Sequence, residues 1–108
     1  MQTGLINFDE IETQQVLPGC RAKFVHSENM TFAFWTIEQG SDFPKHSHPH
    51  EQVVNMLEGE YELNLEDQSY KLVAGDTFVI PSNKEHSGRS ITECKILDVF
   101  YPIREDYS

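Results

Sequence analysis

The sequence predicts an all-β fold in which two sheets pack as a sandwich or roll into a barrel. Three observations predict it. Aromatic and β-branched residues gather in runs of strand length, Gly, Pro, Asn and Asp punctuate those runs at roughly even spacing, and no strong amphipathic helix appears.

In chain order, "NFDEIETQQV" is the one segment with helical potential, and a capped turn leading into the first strand accounts for it equally well. "NMTFAFWTIEQG" follows as a strand ending at Gly40. Alternation sends Met30, Phe32 and Phe34 to one face and Ala33, Trp35 and Ile37 to the other, so both faces need cover. Packing against a second copy of the chain supplies that cover, and a homodimer is the expectation. The alternative is cover from the second sheet of the same subunit and the N-terminal segment. "QVVNMLEGEYELNL", "SYKLVAGDTFVIP" and "CKILDVFYPI" complete the strand-forming runs.

At 108 residues the chain holds one domain and one core, so any site is built inside a single fold. Eight Lys+Arg against eighteen Asp+Glu give a net charge of -10, which opposes approach to nucleic acid or anionic membranes. No signal peptide or transmembrane run is present, and a cytoplasmic protein is expected. Cys20 and Cys94 lack any metal or redox spacing and read as two reduced structural thiols.

Chemistry concentrates in "HSHPHEQ", residues 46 to 52. In an extended strand His46 and His48 project from one face about 7 Å apart at their Cα atoms, within reach of one ion. Pro49 favours a turn, after which Gln52 opens an apolar strand and can aim its amide oxygen at the same point. His86, in the distant segment "PSNKEH", closes the set. Three imidazoles and an amide oxygen suit one divalent transition metal, and Ni, Zn, Mn, Co and Fe all fit. Glu51 alternates away from Gln52 and is a weaker ligand candidate, His50 belongs to the turn, and His26 reads as a solvated residue at a strand end.

A second hint lies in "LDVFYPIREDY". Cys94, Ile96, Asp98 and Phe100 share a face, which sets Asp98 among apolar neighbours where an ionised carboxylate is costly without a task. If that face lines the barrel, Asp98 can move protons on a metal-bound substrate. Arg104, just past Pro102, can reach over the cavity mouth and grip a substrate carboxylate, or else pair with Glu105 or Asp106. Arg89 and Lys84 are candidates to offset the negative field beside it, and Trp35, Met56 and Phe100 are candidate apolar walls.

Gly40, "SDFPK", His46, Ser47, His48, "PHE", Gln52, "VVNMLE" and Gly59, followed by Gly75, "DTFVI", Pro81, "SNKE" and His86, resemble the two motifs of the cupin superfamily. The resemblance covers most of the chain and implies a double-stranded β-helix, or jelly roll, as one domain over residues 1–108 with a metal-binding barrel core at about 30–102. Gln52 stands where the superfamily usually has Glu, Asn83 where it has Gly, and Ser90 where Asn is common. A neutral amide leaves a divalent ion its full charge, which favours Lewis-acid work over a dioxygenase.

Within that superfamily, "HSHPHEQ" together with "LDVFYPIRED" resembles the pectin-degradation cupins of the KdgF type, which convert 4,5-unsaturated monouronates to their linear ketonised form. The resemblance implies metal ligands at His46, His48, Gln52 and His86, conversion of a small anionic sugar by Asp98, Phe100 and Arg104, and one metal per chain. Asn55 fills a position where that group carries a tyrosine. Other classes consistent with the motifs are a sugar isomerase, a dioxygenase and a non-catalytic ligand-binding cupin.

Overall fold

The computed structural model describes residues 2–107, and strands dominate it. The N-terminal segment forms a 3-10 turn at Phe8–Glu10, capped by Asn7 Oδ1, which accepts from Asp9 N at 3.1 Å. Of the two readings of this segment, the capped turn is the one that forms.

Ten strands follow: β1 (Gln14–Leu17), β2 (Cys20–His26), β3 (Thr31–Ile37), β4 (Asp42–His46), β5 (Glu51–Glu58), β6 (Glu60–Leu65), β7 (Gln68–Val73), β8 (Thr77–Ile80), β9 (His86–Ser90) and β10 (Cys94–Tyr101). They make a six-stranded sheet ordered β1-β2-β3-β10-β5-β8 and a four-stranded sheet ordered β4-β9-β6-β7. Every pairing is antiparallel. No helix among the described residues is long and apolar enough to cross a membrane.

The core lies between the sheets, and alternation decides which side chains enter it. Ala33, Trp35 and Ile37 of β3, Val54 and Met56 of β5, and Cys94, Ile96 and Phe100 of β10 are all buried. Cys20, Ala22 and Phe24 of β2 join them ahead of residue 30. Both cysteines are free, and burial pushes the Cys20 thiol up to about 11, so it is an inert packing group. On the opposite face of β3, Phe8 packs edge-on against Phe34 at 5.2 Å, so the N-terminal segment covers part of it. Met30, at the hairpin before β3, stays exposed, as do Leu57, Val79 and Tyr101 on the outer side of this sheet.

Two turn residues fix the backbone beside the motif segments. Gly59 joins β5 to β6 at φ +90°, where a Cβ would collide with the Glu93 carbonyl oxygen. Asn83 sits at φ 65°, a conformation that Asn tolerates better than other side-chain-bearing residues, which explains its standing in a glycine position. Its N–H donates to the His48 carbonyl at 2.8 Å and ties the two motifs together.

Candidate metal centre and cavity

His46 ends β4 and lies opposite His86, the first residue of β9, in the ladder between those strands. His48 falls in the bend beyond β4, and Gln52 is the first inward-facing residue of β5. Ring centroids are 4.3 Å apart for His46 and His86, 5.0 Å for His48 and His86, and 5.6 Å for His46 and His48. One ring nitrogen from each of the three histidines lies within 4.8 Å of the others.

Hydrogen bonds settle which nitrogen faces inward. His46 Nδ1 contacts the Pro44 carbonyl at 2.7 Å, His48 Nδ1 the His50 carbonyl at 3.0 Å, and His86 Nδ1 the Lys84 carbonyl at 2.9 Å. A carbonyl only accepts, so each Nδ1 carries the proton and each neutral ring presents an Nε2 lone pair. Burial lowers the His48 pKa and pushes that of His86 down to about 4, so both rings are neutral at pH 7, the form a metal requires.

The lone pairs have no protein partner to match them. His86 Nε2 is buried without a hydrogen bond, and His48 Nε2 faces Gln52 Oε1 at 3.2 Å, acceptor against acceptor. A cation between these atoms satisfies them together, so the donor set fits a divalent transition metal.

Beside this cluster a cavity of about 40 Å³ opens between the sheets. Trp35, Phe43, Tyr61, Phe100 and Tyr107 contribute its aromatic wall, and Asp98 and Arg104 its charged groups. Asp98 shares the inner face of β10 with Ile96 and Phe100, and its carboxyl is pushed up to about 7 by burial. Gln52, Trp35 and Arg104 act in the opposite direction and only partly offset that burial. Asp98 Oδ1 and the Trp35 indole Nε1 are both buried without a hydrogen-bond partner.

Arg104 forms the ion pair with Asp106 expected as one of its two readings, but with its guanidinium buried at the cavity and not exposed. Its side chain is buried at the cavity, stacked on Phe100 at 4.8 Å and Tyr107 at 4.4 Å, and it also pairs with Asp106. Nε and Nη2 donate to the two Asp106 oxygens at 2.9 and 2.7 Å. Burial opposes the guanidinium charge, Asp106 more than restores it, and the same contact lowers the Asp106 pKa.

Several other candidates lie away from the cavity. Glu51 is exposed on the outer face of β5, and Asn55, also outward, bonds the Leu97 carbonyl and Thr77, so the missing tyrosine leaves the cavity wall unaltered. Neither Lys84 nor Arg89 lines the cavity: Lys84, in the turn before β9, pairs with Glu66 at 3.4 Å, and alternation turns Arg89 outward on β9. Met56 is core, whereas Trp35 and Phe100 are both core and wall. His50 packs against His48 at 5.4 Å and supplies the carbonyl that orients it. His26 is half-buried and bonded through both ring nitrogens, contrary to the solvated reading. Phe43, Tyr61 and Tyr107 were not legible as wall residues: the first two carry only an alternation signal, and Tyr107 follows the last strand with no periodicity at all.

Residues 33–100 match the family model described as a cupin domain. Over the whole chain the fold superposes on KdgF from Halomonas sp. with a TM-score of 0.89 and 28% identity, covering 98% of this chain and 100% of that one. An RmlC-like cupin from Shewanella frigidimarina matches with a TM-score of 0.93 and 24% identity, covering 99% and 97%. A mutant of oxalate decarboxylase OxdC from Bacillus subtilis matches with a TM-score of 0.78 and 20% identity, covering 94% of this chain but 31% of that one. The last two likenesses concern the fold alone. With well over half of the chain matched to the family model and the jelly roll formed around the motif histidines, the protein belongs to the cupin family.

Proposed function

We propose that this cupin holds one divalent transition metal, of the group Ni, Zn, Mn, Co and Fe, on His46, His48, Gln52 and His86, and converts 4,5-unsaturated monouronates to their linear ketonised form. The observation that carries the reading is the meeting of two chemistries in one cavity: unpaired ligand atoms on one side, and Asp98 with Arg104 on the other. The likeness to KdgF over the full length of both chains supports the choice of substrate class.

When bound, a divalent ion supplies an electrophile next to a sugar oxygen without redox change. The protein's own residues do the rest. The edge of the Arg104 guanidinium left free by Asp106, Nη1 with Nη2, meets the substrate carboxylate. Phe100 supports both that guanidinium and the His48 ring, 5.8 Å from it edge-on, and so sets the sugar between anion site and metal ligands. Asp98 Oδ1, lacking a partner, delivers a proton to carbon as the enol oxygen releases one, so the conversion is an isomerisation with no net proton change.

The same reading places the enzyme in the cytoplasm as a dimer. The exposed apolar residues Leu57, Val79 and Tyr101, with half-buried Val53, Leu97 and Val99 between them, form an outer face suited to a second copy.

The test is loss of the conjugated double-bond absorbance of 4,5-unsaturated galacturonate, under anaerobic conditions, with metal-loaded protein and the variants Asp98→Ala and His46→Ala. The expected result is rapid loss with the parent protein and none above the spontaneous rate with either variant. No acceleration by protein carrying one metal per chain overturns the substrate reading, and a requirement for oxygen points to a dioxygenase instead.

A further inference from the structure

We propose that His26 is a positioning residue: with Thr31 it clamps the C-terminal segment against the barrel so that Arg104 faces the cavity. This rests on the reading of Arg104 as the anion-binding group.

His26 and Thr31 are direct cross-strand partners at the end of the β2–β3 hairpin, whose turn is closed by the Ser27 N–H donating to the Met30 carbonyl at 2.9 Å. His26 Nε2 lies 3.2 Å from the Tyr107 carbonyl oxygen and Nδ1 lies 2.9 Å from Thr31 Oγ1. Arg104 N–H donates to that same Thr31 oxygen at 2.9 Å. Donor arithmetic fixes the proton positions. The Tyr107 carbonyl only accepts, so Nε2 bears the hydrogen; Nδ1 is then an acceptor and takes the Thr31 hydroxyl hydrogen, which leaves the Thr31 oxygen free to receive Arg104 N–H. Thr31 is fully buried, so each of these bonds replaces one that water cannot make.

The segment thus hangs from the barrel at both ends. Within it, Tyr107 N–H closes a turn onto the Arg104 carbonyl at 3.1 Å. Beneath it the rings of His26, Phe24 and Tyr107 form a pile, His26 to Phe24 at 6.2 Å and Phe24 to Tyr107 at 4.6 Å, both near parallel. The pile holds the Tyr107 ring against which the guanidinium stacks. His26 is not itself a lining residue and is not among the candidate metal ligands, so its influence on the site runs through Tyr107 and Arg104.

Two readouts test the clamp. Trypsin cuts after Arg104 only when the segment leaves the barrel, and release of residues 105–108 is followed by mass. Turnover of the unsaturated uronate is measured on the same metal-loaded samples. His26→Leu removes both ring contacts and is expected to raise the cutting rate at Arg104 and KM about tenfold each, with kcat held within about threefold. His26→Gln, which keeps an N–H donor for the Tyr107 carbonyl, is expected to recover most of both. If His26→Leu fails to fold, Thr31→Val, which lacks the oxygen that receives Arg104 N–H, takes its place with the same expectation. Unchanged cutting and KM overturn the proposal, as does faster cutting with unchanged KM, or a loss confined to kcat that His26→Gln does not repair. Absence of turnover by the parent protein refutes the uronate reading alone, and the tryptic rate then decides the clamp.

Discussion

Replacing Asp98 by Asn is expected to make the metal-free protein more stable at alkaline pH while abolishing uronate conversion. Burial moves the carboxyl from its ordinary 3.8 to about 7. Below the lower value the carboxyl is protonated in folded and unfolded chains alike. Between the two, the folded protein keeps a proton that the unfolded chain has released, so stability is lost as pH rises through about 7. At 1.36 kcal/mol per pH unit that gap amounts to about 4 kcal/mol, an upper figure that relaxation around the carboxylate reduces to about 2. Asn has the shape of the protonated acid and no charge to lose. Urea unfolding of chelator-treated protein is therefore expected to show equal stability near pH 4 and a variant more stable by about 2 kcal/mol near pH 8.5. His86, pushed down to about 4 from 6.5, contributes the reverse trend, stability lost as pH falls through that window, but does so in both proteins and drops out of the difference. Adding a divalent ion is expected to shrink the difference, because a cation near Gln52 stabilises the ionised form. Parallel stability curves for the two proteins across pH 4 to 8.5 would refute the placement of a carboxyl whose burial is only partly offset.

Three further perturbations follow from the geometry. His48→Ala removes one of the converging Nε2 atoms and is expected to weaken Zn or Ni binding at least tenfold, measured by competition with a chromogenic chelator. Gly59→Ala forces a Cβ onto the Glu93 carbonyl at a positive φ and is expected to cost about 2 to 4 kcal/mol in urea unfolding, with β5, which carries Gln52, loosened. Val99→Lys places a charge at the centre of the outer face of the six-stranded sheet and is expected to turn a dimer into a monomer by light scattering, with the metal content of each chain unchanged.

Much of this architecture was open to reading because the signal is local. β3, β5 and β10 alternate so strongly that their inner and outer faces can be assigned residue by residue, and Asp98 stands out for sitting on the apolar face. Most of the candidate ligand set was legible for the same reason: His46, His48 and Gln52 lie within seven residues. β2 was less visible, since its inner face opens with Cys20 and Ala22, small residues with little strand propensity, before Phe24, and Arg21 and Lys23 lie on its outer face. Nothing local marks His26 or Tyr107. Their roles depend on contacts between residues 81 positions apart, which a reading by periodicity does not reach. The outward turn of Arg89 follows from alternation once β9 is known, but "HSGRS" carries too few apolar residues to announce a strand.

The distribution of unsatisfied groups argues that this cavity is a site and more than a gap in packing. Three of the five buried side-chain polar atoms without a hydrogen bond among the described residues belong to Trp35, His86 and Asp98 in the cavity lining, and a fourth to His50, packed against His48. His48 and Gln52 add a pair of opposed acceptors at 3.2 Å. Each such group costs on the order of 1 to 3 kcal/mol when left unpaired, and a barrel of this size could have filled the space with Leu or Val and been more stable for it. Elsewhere one such atom is left, the Ser90 hydroxyl, while Thr31, fully buried, both donates to His26 and accepts from Arg104 N–H. A chain that satisfies Thr31 at the hairpin, and leaves polar atoms open where three histidines and a raised carboxyl converge, fits the metal and substrate proposed above.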